Sequence, residues 1–349
     1  MLSRAFAGSL SSRRYSRTNV SLYPVAVGVA AAAAALTVSA LVNRVIAKNA
    51  ERNNPPVGKF VEVGGVRLHY IERGQGEPLV LLHGNGSMIQ DFSSSGLLDK
   101  AARKYRVIVF DRPGFGYSTR PRLTVWTPKA QADLICKALA QIEISRAIVF
   151  GHSWGASVAI AVALQAPELV TRLILASGYF YPTVRSDVLA SWQAVPVLGD
   201  IISNTVSPFL ARMMWPALMR KIFGPSIVPG KFAGFPKEMA LRPSQLRTSA
   251  AESALLIPAA FALRKDYAVL TMPVAIIAGE DDKLIDTEKQ SARLHREIRH
   301  STLRRVAAVG HMVHQSATEA VMAAIDEVQD ASLRRVPSDS GSLARSETP

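Results

Sequence analysis

AIVFGHSWGA, residues Ala147 to Ala156, decides how this chain reads. Ala147 to Phe150 is a short apolar run rich in branched side chains, the pattern of a strand buried on both faces. Ala156 to Ala166 reads as a helix, and Gly151-His152-Ser153-Trp154-Gly155 lies at the junction. A G-x-S-x-G string between strand and helix is the context of a nucleophile elbow, a turn so sharp that the serine hydroxyl stands clear of the sheet. Small residues are needed two positions to either side, where a neighbouring chain crosses, and Gly151 and Gly155 meet that need. The helix beyond points its N-terminus at the hydroxyl, where developing negative charge is stabilised. Ser153 is the candidate nucleophile.

The same rhythm continues on both sides. Leu79 to Leu82, Val107 to Phe110, Leu173 to Ala176 and Val274 to Ala278 are further buried-strand runs, and Val66 to Ile71 alternates as a half-buried strand. Between them lie helical patterns at Thr127 to Leu139, opened by Thr127 as cap, and at Thr287 to Arg296. Strands alternating with helices predict an α/β fold with a doubly wound, mostly parallel sheet. The rhythm breaks over 181–262, where nine prolines interrupt helical segments and no buried strand is found. That stretch is too long for a plain loop and reads as a helical cap inserted into a core of 54–180 and 263–330. Residues 331–349 are rich in serine, proline and charge, and disorder is expected there.

The N-terminal 53 residues stand apart. Leu22 to Val42 carries no formal charge and as a helix would extend ~30 Å, about the thickness of a bilayer core. Arg13, Arg14 and Arg17 precede it, Arg44 and Lys48 follow, and Asn53-Asn54-Pro55-Pro56 marks a linker. The leading expectation is a single-pass membrane anchor over about 22–42. The alternatives are an export leader cleaved after Val38-Ser39-Ala40 or an organellar transit peptide. Residues 1–53 hold seven cations against Glu51, and so supply six of the fourteen net positive charges. Basic charge beside an apolar run suits an anionic membrane surface, and no nucleic-acid partner is expected. Cys136 is the single cysteine, which excludes an intramolecular disulfide and a cysteine-rich metal site. It is expected to be a buried structural thiol, and the reading calls for no cofactor and no metal.

A serine hydroxyl needs a base. Seven histidines are available, and the base belongs in a loop after a late strand. Leu303 to Val309 supplies that strand and Gly310-His311 follows it, so His311 is the choice, with His314 as the nearby competitor. His83 and His152 fit better as packing and hydrogen-bonding residues within their motifs. The base needs a carboxylate to fix its tautomer. Glu280, Asp281 and Asp282 all follow the strand Val274 to Ala278, and chemistry alone leaves the three open. For the oxyanion, one donor is the backbone N–H of Trp154. The other is that of Asn85 in His83-Gly84-Asn85-Gly86, the loop after Leu79 to Leu82.

With these motifs, joined by Asp111-Arg112-Pro113-Gly114-Phe115-Gly116, the chain resembles the capped branch of the α/β-hydrolase superfamily from about Phe60 to Asp330. The resemblance selects Asp282 as the triad acid through the family's G-x-x-D pattern, and it marks Asp111 as structural. It implies that 181–262 covers the site, with Phe180, Tyr181, Trp192, Phe209, Met213, Met214, Trp215, Met219, Phe223, Phe232 and Phe235 as an apolar supply. Relatives with this framing often carry aspartate where Ser153 stands and displace at saturated carbon. A serine ether made that way could not be hydrolysed, so serine directs the expectation to acyl chemistry. The implied function is hydrolysis of an apolar ester or related small acyl substrate through an acyl-Ser153 intermediate. The alternatives are C–C bond hydrolysis or acyl transfer by the same triad, or a non-catalytic ligand-binding scaffold.

Overall fold

The computed structural model describes residues 23–183 and 198–333. In chain order it places helix α1 (Tyr23–Asn53), strands β1 (Lys59–Val63), β2 (Val66–Arg73) and β3 (Glu77–Leu82), and the short helices α2 (Gln90–Ser95) and α3 (Leu97–Ala101). Then come β4 (Tyr105–Phe110), α4 (Pro128–Gln141), β5 (Ala147–His152), α5 (Trp154–Gln165) and β6 (Val170–Ala176). The insertion contributes α6 (Leu198–Thr205), α7 (Ser207–Phe223), α8 (Lys237–Ala240) and α9 (Pro243–Leu263). The chain closes with β7 (Val274–Gly279), α10 (Arg293–Glu297), β8 (Thr302–Val306), α11 (Val313–Ser316) and α12 (Thr318–Leu333).

The sheet has eight strands in the order β1-β2-β4-β3-β5-β6-β7-β8. β2 runs antiparallel to both β1 and β4, and the other pairs are parallel. Period-two alternation splits the central strands cleanly between two cores. Val80, Leu82, Val149, Leu173, Leu175 and Ile276 pack with α4 and α5 on one face. Leu79, Leu81, Ile148, Phe150, Ile174 and Ile277 pack with α2, α3 and α12 on the other. Every residue of β5 is buried, as its unbroken apolar run requires. Thr127 caps α4 as expected, its side chain accepting from Ala130 N, with Pro128 in the first turn.

The expected strand over Leu303 to Val309 is shorter, ending at Val306, and Ala308 follows it at φ +57°. The helical reading of the insertion holds over its described part, whereas Trp192 lies outside the described residues. So do residues 1–22 and 334–349, and with them the basic flank at Arg4, Arg13, Arg14 and Arg17 and most of the expected disordered tail. Residues 331–333, read as the start of that tail, instead extend α12.

Among the described residues, α1 is the one helix long and apolar enough to cross a membrane. It continues past Val42 to Asn53, and its two halves differ. Residues 23–38 are almost wholly exposed, whereas Asn43 and Ala50 are buried against the insertion. Ser39 Oγ donates to Thr205 O at 2.7 Å, and Asn43 Nδ2 donates to Asn204 O at 3.0 Å and Thr205 O at 2.9 Å. Glu51 pairs with Arg242 at 2.6 Å. The second half of α1 is thus fastened to α6, to α8 and to Arg242 between α8 and α9, and the Asn53–Pro56 linker follows a helix already docked.

Candidate active site

Ser153 sits between β5 and α5 at φ +55°, ψ −118°, a conformation that costs a non-glycine residue of order 1–3 kcal/mol. Two close approaches explain the glycines around it. A Cβ on Gly151 would meet Gly155 O at 2.3 Å, and one on Gly155 would meet Leu82 O at 2.2 Å. The Ser153 N–H donates to Ala176 O at 2.9 Å, which ties the turn to β6.

Ser153 Oγ lies 3.0 Å from His311 Nε2, and His311 Nδ1 lies 2.7 Å from Asp282 Oδ2. Asp282 Oδ1 accepts from the N–H groups of Leu284 at 2.8 Å and Ile285 at 2.9 Å, which fixes the carboxylate after β7. Asp281 is turned away and accepts from Ala308 N at 3.1 Å. His311 arrives from the loop after β8, and its N–H donates to Ile222 O at 2.8 Å, so the end of α7 holds the imidazole's backbone. The three residues singled out from sequence therefore meet in one hydrogen-bonded line.

The amides of Trp154 and Asn85 have no acceptor among the described residues and lie beside Ser153 on the same cavity wall. Asn85 is held from its side chain: Nδ2 donates to Ser249 O at 3.0 Å and to Ser253 Oγ at 3.1 Å, both on α9. Asp111 keeps a structural position, bonded to His69 Nδ1 at 2.6 Å and accepting from Ile89 N at 2.9 Å. The cavity over Ser153 encloses about 380 Å³. From the expected apolar supply, Trp215, Met219, Phe232 and Phe235 reach it, with Leu218 and Leu256 added. Phe209, Met213 and Met214 face outward, and Phe180 and Tyr181 are buried beside Tyr267. Cys136 is half-buried on α4, its thiol pushed up to about 11 by burial, so it stays protonated and inert.

Sequence reasoning missed two buried clusters. Asp91 Oδ1 lies 3.0 Å from His314 Nε2 under the site, with the His152 ring tilted against that of His314 and its Nε2 donating to His311 O at 3.1 Å. Burial alone would raise the Asp91 carboxyl, but His314 and His152 hold it well below its ordinary range. Asp91, His152 and His314 offer ligand atoms within 4.8 Å of one another, yet Asp91 is already engaged by His314 and by Gln315 Nε2 at 2.8 Å. In the second cluster Arg112 bonds Glu252 of α9, Gln131, and the carbonyls of His83 and Gly84. Partners so far apart in sequence leave no local pattern.

His83 and His152 carry a pH consequence. Burial, reinforced by Arg112, pushes His83 down to about 3, and its Nε2 accepts from Arg112 N at 3.0 Å, which only the neutral ring can do. Burial also holds His152 well below 6.5. Below pH 6.5 the unfolded chain takes up protons at both positions and the folded chain does not, so stability is lost as pH falls. For each ring that stays neutral in the fold the slope approaches ~1.4 kcal/mol per pH unit once its unfolded counterpart is fully protonated. Asp91 is ionised in both states over that window and adds no slope. Urea unfolding at pH 7.5, 6 and 5 reads this directly, and equal midpoints would contradict it.

A family model described as alpha/beta hydrolase fold matches residues 77–317. The chain is similar to 2-hydroxymuconate semialdehyde hydrolase of Pseudomonas sp. (strain CF600), 31% identical over 187 residues, which is 50% of this chain and 66% of that one. The matched stretch thus spans just under two thirds of that relative. It is also similar to 2-hydroxy-6-oxo-2,4-heptadienoate hydrolase of Pseudomonas putida, 27% identical over 74% of this chain and 91% of that one. Among solved structures, a membrane phospholipase A described as a bacterial virulence factor shares the fold at a TM-score of 0.61, with 20% identity, over 88% of this chain and 98% of that one.

Proposed function

The chain belongs to the alpha/beta hydrolase family, and on that premise we propose that it is a serine hydrolase of an apolar acyl substrate. Ser153 Oγ attacks the acyl carbonyl and passes its proton to His311 Nε2, while Asp282 holds Nδ1–H and balances the imidazolium. The amides of Asn85 and Trp154 take the oxyanion. Collapse expels the leaving group with the proton from His311, leaving an acyl-Ser153 ester. Water, deprotonated by His311, then attacks that ester and releases the acid. The observation that carries this reading is the unbroken line of hydroxyl, imidazole and carboxylate at 3.0 and 2.7 Å beneath an apolar cavity.

The named substrates of the two relatives favour a second reading, C–C bond hydrolysis by the same residues. Such dienoates carry a carboxylate that needs a cationic partner. Among the described residues lining the cavity, Lys221 at the rim is the one cation, and the buried Arg112 behind it is neutralised by Glu252. The lining therefore supports a neutral acyl chain. We read α1 as a membrane anchor, consistent with substrates that partition from lipid.

A series of p-nitrophenyl esters from acetyl to octanoyl tests this. Each methylene that enters the cavity adds ~0.8 kcal/mol, so kcat/KM should rise about fourfold per added CH₂ until the cavity is full. Hydrolysis of a dienoate acid faster than every ester in the series would replace the first reading with the second.

A further inference from the structure

Helix α7 is apolar on both sides. One side, with Pro208, Met219 and Phe223 buried and Trp215 and Ile222 partly so, faces the insertion's core and the cavity. The other should be polar if it met water, as in an ordinary surface helix. Instead Phe209, Met213 and Met214 stand 61%, 64% and 65% exposed, with Leu210 and Leu218 beside them. Spacings of one, three and four residues put them on one broad stripe. Leu198, Ile201 and Val206 of the adjoining α6 segment extend it. A contiguous apolar patch of this kind marks a contact surface.

Its position relative to α1 identifies the occupant. The uncharged part of α1 ends at Asn43, with Arg44 and Lys48 next, so under the anchor reading the headgroup boundary lies there. Ser39 and Asn43 bond the carbonyls of Asn204 and Thr205, and Arg212 of α7 donates to Asn43 Oδ1 at 3.1 Å. The α6–α7 junction is therefore fixed at the depth where apolar side chains leave the bilayer. Phe209 follows within one turn, and the exposed stripe ends in the cations Arg220 and Lys221. An apolar face closed by basic residues is the pattern of an interfacial helix on anionic lipid.

We infer that the exposed face of α6 and α7 lies in the interfacial layer of the membrane that α1 enters, so that the insertion itself rests on lipid. This rests on the anchor reading. The opposite side of α7 lines the cavity over Ser153, so the face against lipid and the wall of the substrate site belong to one helix. A substrate leaving the bilayer then reaches the cavity rim at Leu218 and Lys221 without crossing open water.

Depth-dependent quenching on the full chain tests it. In a Cys136→Ser background, single cysteines replace Ala33 in α1, Met213 in α7, or Arg299 at the sheet end remote from the insertion. Each carries an NBD probe and is reconstituted in phosphatidylcholine–phosphatidylglycerol vesicles containing doxyl lipid. The 213 probe should be quenched at least about fivefold more than the 299 probe, as for a side chain sunk ~5–10 Å into the headgroup boundary. Strong quenching at 33 with 213 no different from 299 overturns the inference and leaves the anchor standing. No quenching at 33 removes the anchor, and the inference with it. A blue shift at 213 without lipid quenching places a second copy of the chain on this face and equally overturns it.

Discussion

Ser153→Ala should lower kcat on a short p-nitrophenyl ester by roughly 10⁴–10⁶-fold while leaving the circular dichroism spectrum unchanged. His311→Ala should cost about as much, and the double variant little more. The reason is geometric. Oγ donates along a 3.0 Å contact to Nε2, and the imidazole is fixed by Asp282 at 2.7 Å, so each group acts only through the next. Once the hydroxyl is gone, the base has no proton to take. What survives is the contribution of the Asn85 and Trp154 amides to water attack, typically 10³–10⁴ over the uncatalysed rate. Covalent labelling by a fluorophosphonate should vanish in the same variant. Multiplicative losses in the double variant, or single losses below about tenfold, would show that the three side chains do not work as one unit.

How much of this site could be read from sequence depends on how local its causes are. Ser153 was legible because its requirements are contained in ten residues: a strand buried on both faces, two glycines where Gly155 O and Leu82 O crowd in, and a helix. His311 was legible because it follows the last strand. Asp282 was not separable from Glu280 and Asp281 by chemistry, since the choice is made by a turn. The turn gives Asp282 the N–H groups of Leu284 and Ile285 and sends Asp281 to Ala308. The apolar residues of 181–262 were legible as a set but not by direction. Met219 faces the cavity and Met213 the outside of the same helix, and both satisfy the same composition. The docking of α1 was invisible because an uncharged run reads as lipid-facing throughout, whereas Ser39 and Asn43 spend their side chains on backbone carbonyls of α6. Arg112 and Glu252 are 140 residues apart, beyond any spacing rule.

That last pair sets the second large effect. Glu252→Ala should destabilise the protein by about 3–5 kcal/mol, because it leaves a guanidinium buried and uncompensated. Both side chains are fully buried, and Glu252 also accepts from Gln131 Nε2 at 2.9 Å. Urea unfolding measures the loss, and a cost below about 1 kcal/mol would mean that water reaches Arg112 and the cluster opens readily. Removing both charges with Arg112→Met and Glu252→Leu should restore much of the stability, since apolar side chains of similar volume replace buried ion pairs at little cost. Activity should not return with it. Arg112 Nε donates to His83 O at 2.7 Å and Nη2 to Gly84 O at 2.9 Å, the two carbonyls just before the Asn85 amide. Glu252 sits on α9, whose Ser249 and Ser253 hold the Asn85 side chain. The pair thus joins the insertion to the loop that carries the proposed oxyanion donor, and a displaced donor costs ~10²–10³ in turnover even in a stable fold. Stability recovered with kcat still depressed separates a positioning role from a merely cohesive one, whereas recovery of both would assign the cluster to folding alone.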